Sequence, residues 1–365
     1  MSGSIPNVKA SPDIYQGDLI LSGNNVTTIQ GEFDINGSII VTGNATLILE
    51  NAVVNFTQTS GSQWNMTFGN PLDGNPRLQA TNTTVTSNYV YSVNLKLGSL
   101  TTVADTEFIG YSGGYCWIWV AGTAYFDQLT VQGLSVSGSS ASVFISSSSV
   151  TSLNAYSFAN LSAYNTTFSM NVNTYGAGLI SLDKCTMYAA VAYSVSQQYI
   201  SNSTIYNVNS RDNATIWLAN STYTNRFIYN RSMVFVLWNL DVHVVDLSMQ
   251  DVPYANVTAS FPNATLAGSE LTGIDGWTRL TLMEKMMNAT GDYLIGNYTV
   301  AAEYETQEEQ QSVNMTYNRE ITIQLLFVIP EFPSFLLIPL FIMATLLAVF
   351  DYRKKHVDSP LKSAL

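Results

Sequence analysis

A short polar turn closed by an apolar or aromatic residue recurs through the middle of this chain. It reads NAVV to Val54, NTTV to Val85, DTEF to Phe108, QLTV to Val131, SSSV to Val150, NTTF to Phe168, KCTM to Met187, NSTI to Ile205 and NSTY to Tyr223. The intervals are 31, 23, 23, 19, 18, 19, 18 and 18 residues, so the spacing settles to a near-constant period. Five residues before each closing position stand Leu49, Ala80, Val103, Phe126, Ile145, Ala163, Leu182, Ile200 and Leu218, all apolar. Seven residues before, seven of nine positions are apolar, the exceptions being Thr101 and Gln198. That alternation is the mark of a strand with one buried face. A period of eighteen is too short for a propeller blade or a helical hairpin, and it fits one coil of a parallel β-helix. One coil cannot bury its inner face alone; stacking supplies the core.

The chain has 365 residues, 11% of them charged, and a formal net charge of −12. This balance argues against a nucleic-acid partner and against docking of the folded part on an anionic lipid surface. Low charge with abundant Asn, Ser, Thr, Gly and Tyr suits an all-β extracellular protein. Seventeen Asn-x-Ser/Thr sequons occur among 32 Asn, where composition alone would give about six or seven. Asn82, Asn165, Asn202 and Asn220 share the repeating turn position, where Asn suits a tight bend, so those four carry a structural reading. Asn202 and Asn220, on adjacent coils about 5 Å apart, are expected not to be both fully glycosylated. The glycosylation candidates are Asn25, Asn36, Asn44, Asn55, Asn65, Asn213, Asn230, Asn256, Asn263, Asn288, Asn297 and Asn314, with Asn160 a further sequon. Cys116 and Cys185 are 69 residues apart, about three coils, which points to two separate thiols rather than a disulfide.

From Phe332 to Phe350 nineteen residues carry no charge, and Arg353, Lys354 and Lys355 follow at once. At about 1.5 Å per residue such a helix spans close to the roughly 30 Å of a bilayer core. The basic cluster assigns the C-terminus to the cytoplasm and everything before the span to the outside. The order Pro330-Glu331-Phe332-Pro333, apolar span, basic tail resembles the PEF-type sorting signals of archaeal surface proteins. That resemblance implies recognition by an archaeosortase-like processing enzyme that removes the tail; a plain transmembrane anchor that keeps its tail is the other reading. At the other end MSGSIPNVKASPDIYQGDLIL has no basic region leading into an apolar run, so an upstream secretory signal is expected to be missing from this sequence.

After Tyr223 the grammar changes. WNLDVHVVD alternates Trp238, Leu240, Val242 and Val244 against Asn239, Asp241 and His243, a half-buried strand. VPYANVTA, GIDGWTRLTL, GNYTVAAEY and REITIQL continue as strands with turns between them, a size that suits a β-sandwich. The succession is similar to carboxypeptidase-regulatory-like, transthyretin-like sandwiches, which implies a spacer without catalysis. The acidic EYETQEEQQ at 303–311 reads as a solvated strand end rather than a cation site.

Parallel β-helices include pectate-lyase-like and polygalacturonase-like enzymes, and fold alone does not decide activity. A lyase needs acids gathered round Ca²⁺ and a base; a hydrolase needs paired carboxylates. Asp105, Glu107 and Asp127 form the only candidate carboxylate cluster in the coils, and polar turn residues facing solvent are the plainer account of them. No histidine lies between residues 40 and 225, so no Ser/His/Asp set can be built there. No metal or other cofactor is expected.

The expected architecture is all-β: a parallel β-helix followed by a small β-sandwich and one C-terminal transmembrane helix. The divisions are an N-terminal cap region at 1–39, the β-helix at 40–225, the sandwich at 226–328, the sorting motif and membrane helix at 329–350, and a cytoplasmic tail at 351–365. The expected role is structural or adhesive, at the membrane, with a polysaccharide or surface-layer component as partner. Tyr, Trp, Asn and Ser suit contact with sugar. The alternative is a polysaccharide lyase or hydrolase acting through an acidic groove on the β-helix.

Overall fold

The computed structural model describes residues 8–9, 14–69, 74–110, 115–327 and 334–357. Alternating apolar residues and tight bends at fixed intervals wind the chain into a parallel β-solenoid of about 11 turns. Its first face is a ladder of parallel segments from 26–30 to 233–237. At about 4.8 Å per step this ladder is roughly 50 Å long. The register is the one the repeat predicts: Val54 pairs with Val85, Val85 with Phe108, Phe108 with Val131, and so on through Val150, Phe168, Met187, Ile205 and Tyr223.

The shortening of the period has a structural cause. Early coils carry a separate third-face strand, Tyr91–Leu95 or Cys116–Val120, reached through a connecting segment. From Thr123–Ser137 onward the second and third faces run in one strand, bent near register shifts such as those between Val150 and Leu153 and between Phe168 and Asn171. Dropping the connection removes four or five residues from each coil.

Every residue five or seven before a closing position is buried, including the two polar exceptions. Gln198 is held through its Nε2, which donates to Val172 O at 3.3 Å, Thr174 Oγ1 at 2.7 Å and Val191 O at 3.0 Å, while its Oε1 has no partner among the described residues. A buried amide is tolerated when it is hydrogen-bonded. Both cysteines are buried and free.

Coiling extends beyond the expected limits at both ends. Val26–Asn36 already pairs with Thr46–Phe56, its corner made by Gly31 instead of Asn, which hides it from the turn signature. At the other end Met233–Val245 is one continuous strand with two roles. On one edge its first part pairs parallel with Thr215–Ala219 as a solenoid strand and its last part pairs parallel with Arg319–Gln324; on the other edge it pairs antiparallel with Trp277–Asn288 from Val234 to His243. A separate four-stranded antiparallel sheet, Leu266–Leu271, Asn256–Ser260, Asn297–Tyr304 and Gln307–Asn314, completes the C-terminal region. Leu240, Val242, Leu280 and Leu282 share a second hydrophobic cluster with Val257, Ala259, Val300 and Ala302 from that sheet.

The expected transmembrane helix is not borne out. Among the described residues no helix is long and apolar enough to cross a membrane. A helix does run from Ser334 to Val357, but its side chains are described only from 341 to 352, about 18 Å of helix. The sorting motif Pro330, Glu331, Phe332 and Pro333 lies outside the described residues, and so do the side chains of Arg353, Lys354 and Lys355.

Candidate functional site

The corner between the first and second faces is built nine times from the same conformation. Asn51, Asn82, Asp105, Gln128, Ser147, Asn165, Lys184, Asn202 and Asn220 all have φ between 45° and 53°. L-residues rarely adopt that region, and Asn tolerates it best after Gly. The next residue turns inward, and where it is Ser or Thr its hydroxyl donates to the carbonyl two residues back: Thr83 to Thr81 O at 3.0 Å, Thr166 to Tyr164 O at 3.0 Å, Ser221 to Ala219 O at 2.9 Å. Corner Asn, inward hydroxyl and outward Thr together spell Asn-Ser/Thr-Thr. The four aligned sequons are therefore written by the fold.

The expected carboxylate trio is not assembled in one groove. Asp105 occupies a corner, and with Glu107 it lines a hollow of about 490 Å³ shared with Asn51, Asn82 and Thr84. Asp127 pairs across the ladder with Ala104 and faces a different groove, on the first face. There its carboxylate accepts the Ser146 hydroxyl at 2.6 Å. The separation follows from register: Asp105 stands at the corner, Asp127 one residue before it, and the left-handed turn sends neighbouring side chains to different faces. Among the described residues no group of His, Cys, Asp or Glu could hold a metal ion.

The first-face groove has a volume of about 450 Å³ and lies between two outward rows of side chains. One row runs Tyr125, Phe144, Ser162, Ser181, Tyr199, Trp217, Phe235, one residue per coil in direct register. Tyr125 and Phe144 stack with centroids 5.2 Å apart; Tyr199, Trp217 and Phe235 stack at 6.0 and 4.1 Å. Between the two stacks, Ser162 and Ser181 leave a gap two coils wide. The other row carries Asp127, Ser146, Tyr164 and Asp183. Asp183 accepts the Ser201 hydroxyl at 2.8 Å and the Asn202 amide at 2.6 Å. Lys184 donates to the Tyr164 hydroxyl at 2.9 Å, which raises the lysine pKa. The groove thus offers aromatic walls, a floor of small residues, and hydroxyl and carboxylate groups along one side. These outward aromatics were not singled out by sequence reasoning, although they stand one residue before the buried position already aligned.

A second aromatic line occupies another turn of the same coils. Tyr156, Tyr175 and Tyr193 stack at 4.9 and 4.8 Å, and Arg211 lies over both Tyr193 and Tyr229 at 5.6 and 5.0 Å. Burial, then the neighbouring phenols, raise the Tyr175 pKa. The acidic stretch at 303–311 forms the hairpin of Asn297–Tyr304 with Gln307–Asn314.

No known protein family matches the chain, and no curated protein does. Among solved structures, one described as the Bacillus anthracis TIE protein is similar over 29% of this chain and 18% of its own, at 12% identity and a TM-score of 0.21. The chain therefore matches less than a fifth of that protein's length.

Proposed function

We propose that this chain is an external surface protein whose solenoid binds a carbohydrate polymer along its first face, in an adhesive or structural role. The observation that carries this reading is the groove walled by Tyr125, Phe144 and Tyr164, with Ser162, Ser181, Asp127 and Asp183 beside them. Aromatic rings take the C–H faces of pyranoses, while hydroxyls and carboxylates take the sugar hydroxyls. The coil spacing of about 4.8 Å repeats these groups along a line, as a polymer repeats its units. The C-terminal strands act as a sandwich-like spacer, and the apolar segment from Phe332 to Phe350 is the anchor, with Arg353, Lys354 and Lys355 on the cytoplasmic side. Support for the anchor is the uncharged run itself and a helix whose Phe341, Leu347 and Phe350 are each at least two-thirds exposed, apolar surface that calls for a non-aqueous cover. N-linked glycans on the sequons outside the corner ladder belong to the same reading.

The test is retention of the full chain on a panel of neutral and acidic polysaccharides, with release of new sugar ends followed in parallel. Each ring contact is worth about 1 kcal/mol, so Tyr125→Ala with Phe144→Ala weakens binding roughly thirtyfold. Retention unchanged in the double variant, or end release lost in Asp127→Asn, would overturn the reading.

A further inference from the structure

Three loops meet at the end of the C-terminal region from which the chain leaves toward its helix. They are the turn at 246–254, the turn at 272–277, and the last residues before 328. Their backbones are tied together: Leu247 N–H donates to Phe327 O at 2.9 Å, Val244 N–H to Gly276 O at 2.9 Å, and Tyr254 N–H to Thr272 O at 3.0 Å. The side chains at the tips are apolar or aromatic and face outward. Ile274 is 82% exposed, and Leu247, Met249, Tyr254 and Leu326 are each at least half exposed.

Two of these residues hold their places against conformational preference. Met249 and Tyr254 have φ of 62° and 61°, the left-handed region where Gly and Asn are usual. None of the three loops carries Lys or Arg; their acids are Asp246, which is buried, Asp251, which pairs with His243, and Asp275, with Glu305 on the neighbouring hairpin turn. That charge pattern disfavours an anionic surface and suits an apolar or zwitterionic one. Position supplies the rest. Phe327 precedes the helix start, Ser334, by seven residues, a reach of at most about 25 Å even when fully extended.

We propose that these loops dip into the interfacial layer of the same bilayer that holds the C-terminal helix, so that the protein is seated on the membrane instead of swinging from a tether. The proposal rests on the reading of that helix as an anchor. Exposed apolar side chains on adjacent turns bury their surface among lipid headgroups and upper acyl chains, as interfacial segments do. No basic residue is required for a zwitterionic surface.

The test uses the full chain reconstituted into phosphatidylcholine bilayers containing brominated acyl chains. Single cysteines carrying a fluorophore are placed by Ile274→Cys at the tip, Val349→Cys on the helix and Leu294→Cys as a distant control. Both native cysteines are buried, so labelling goes to the introduced thiol. Leu294 pairs with Lys285, eight residues along the strand from Trp277, about 27 Å away. Loss of most emission at 349 and 274, with 294 unchanged, is the expected result. Quenching at 349 alone overturns the seated geometry and leaves the anchor standing; quenching at all three also overturns it, because the region then lies flat. Absence of quenching at 349 overturns the anchor reading and the inference with it.

Discussion

Asn202 shows how much one corner residue does. Its φ of 49° needs a residue that tolerates the left-handed region, and its Nδ2 donates to Asp183 Oδ1 while its Oδ1 accepts Asn220 Nδ2 at 2.6 Å. Asn318, from the C-terminal region, donates in turn to Asn220, closing the end of the ladder. Asn202→Ala keeps the strained backbone and loses the ladder, costing about 2 kcal/mol; Asn202→Gly relieves the strain and costs about half as much. Chemical denaturation of the two variants measures the order. The same contacts occupy the nitrogen a glycan would need, so glycopeptide mass spectrometry is expected to find Asn202 and Asn220 not both filled.

Cys185 sits where other coils place Ser or Thr. Its Sγ lies 3.3 Å from Asp183 O, the carbonyl two residues back, as the hydroxyls of Ser203 and Ser221 do on the next coils. Cys185→Ser is therefore expected to change stability by less than about 1 kcal/mol. Burial pushes its thiol up to about 11 from 9.0. The folded state thus disfavours the thiolate that the unfolded chain forms more readily. Stability from this group is full below pH 9 and is lost as pH rises toward 11. Denaturation at pH 8 and at pH 10.5, compared between the native protein and Cys185→Ser, reads this difference directly.

At the scale of elements, the inner strands were legible because a half-buried strand writes its period openly. All eight intervals reappear as backbone partners, and all nine positions aligned five before each closing residue are buried. The coil at Val26–Asn36 was hidden by Gly31; at the other end the strand through Trp238–Val244 was legible, but not that its start at Met233–Leu237 is the last coil, because the strand exchanges Thr215–Ala219 for Arg319–Gln324 along one edge. The groove was hidden for a different reason. Outward residues vary from coil to coil, and only stacking shows that Tyr199, Trp217 and Phe235 belong to one row. Nor could spacing alone tell that Asp105 and Asp127 part company, because a left-handed corner separates them.

The end of the solenoid is covered by the region that follows it. Met287 is fully buried in the solenoid core, Tyr223 and Arg226 reach its sulfur, and Arg226 pairs with Asp292. Trp238 borders both hydrophobic clusters and donates to Glu284 at 2.6 Å. A terminal coil needs such a cover to keep its core dry. Ending the chain at residue 237 is expected to yield an aggregating solenoid, and Met287→Asp to cost more than about 3 kcal/mol by placing an unpaired charge in the core. Sedimentation and thermal unfolding check the two.

For the whole molecule, the strand Met233–Val245 removes the joint that usually separates one folded unit from the next. With one edge laddered first into the last coil and then into Arg319–Gln324, and the other edge held by Trp277–Asn288 from Val234 to His243, a pull between the outer coils and the C-terminal end would load hydrogen bonds in shear, many at once, instead of peeling them one by one. No slack linker exists there to absorb the strain. A protein built so transmits tension as a rod does, and single-molecule stretching would find no early low-force extension between residues 215 and 245.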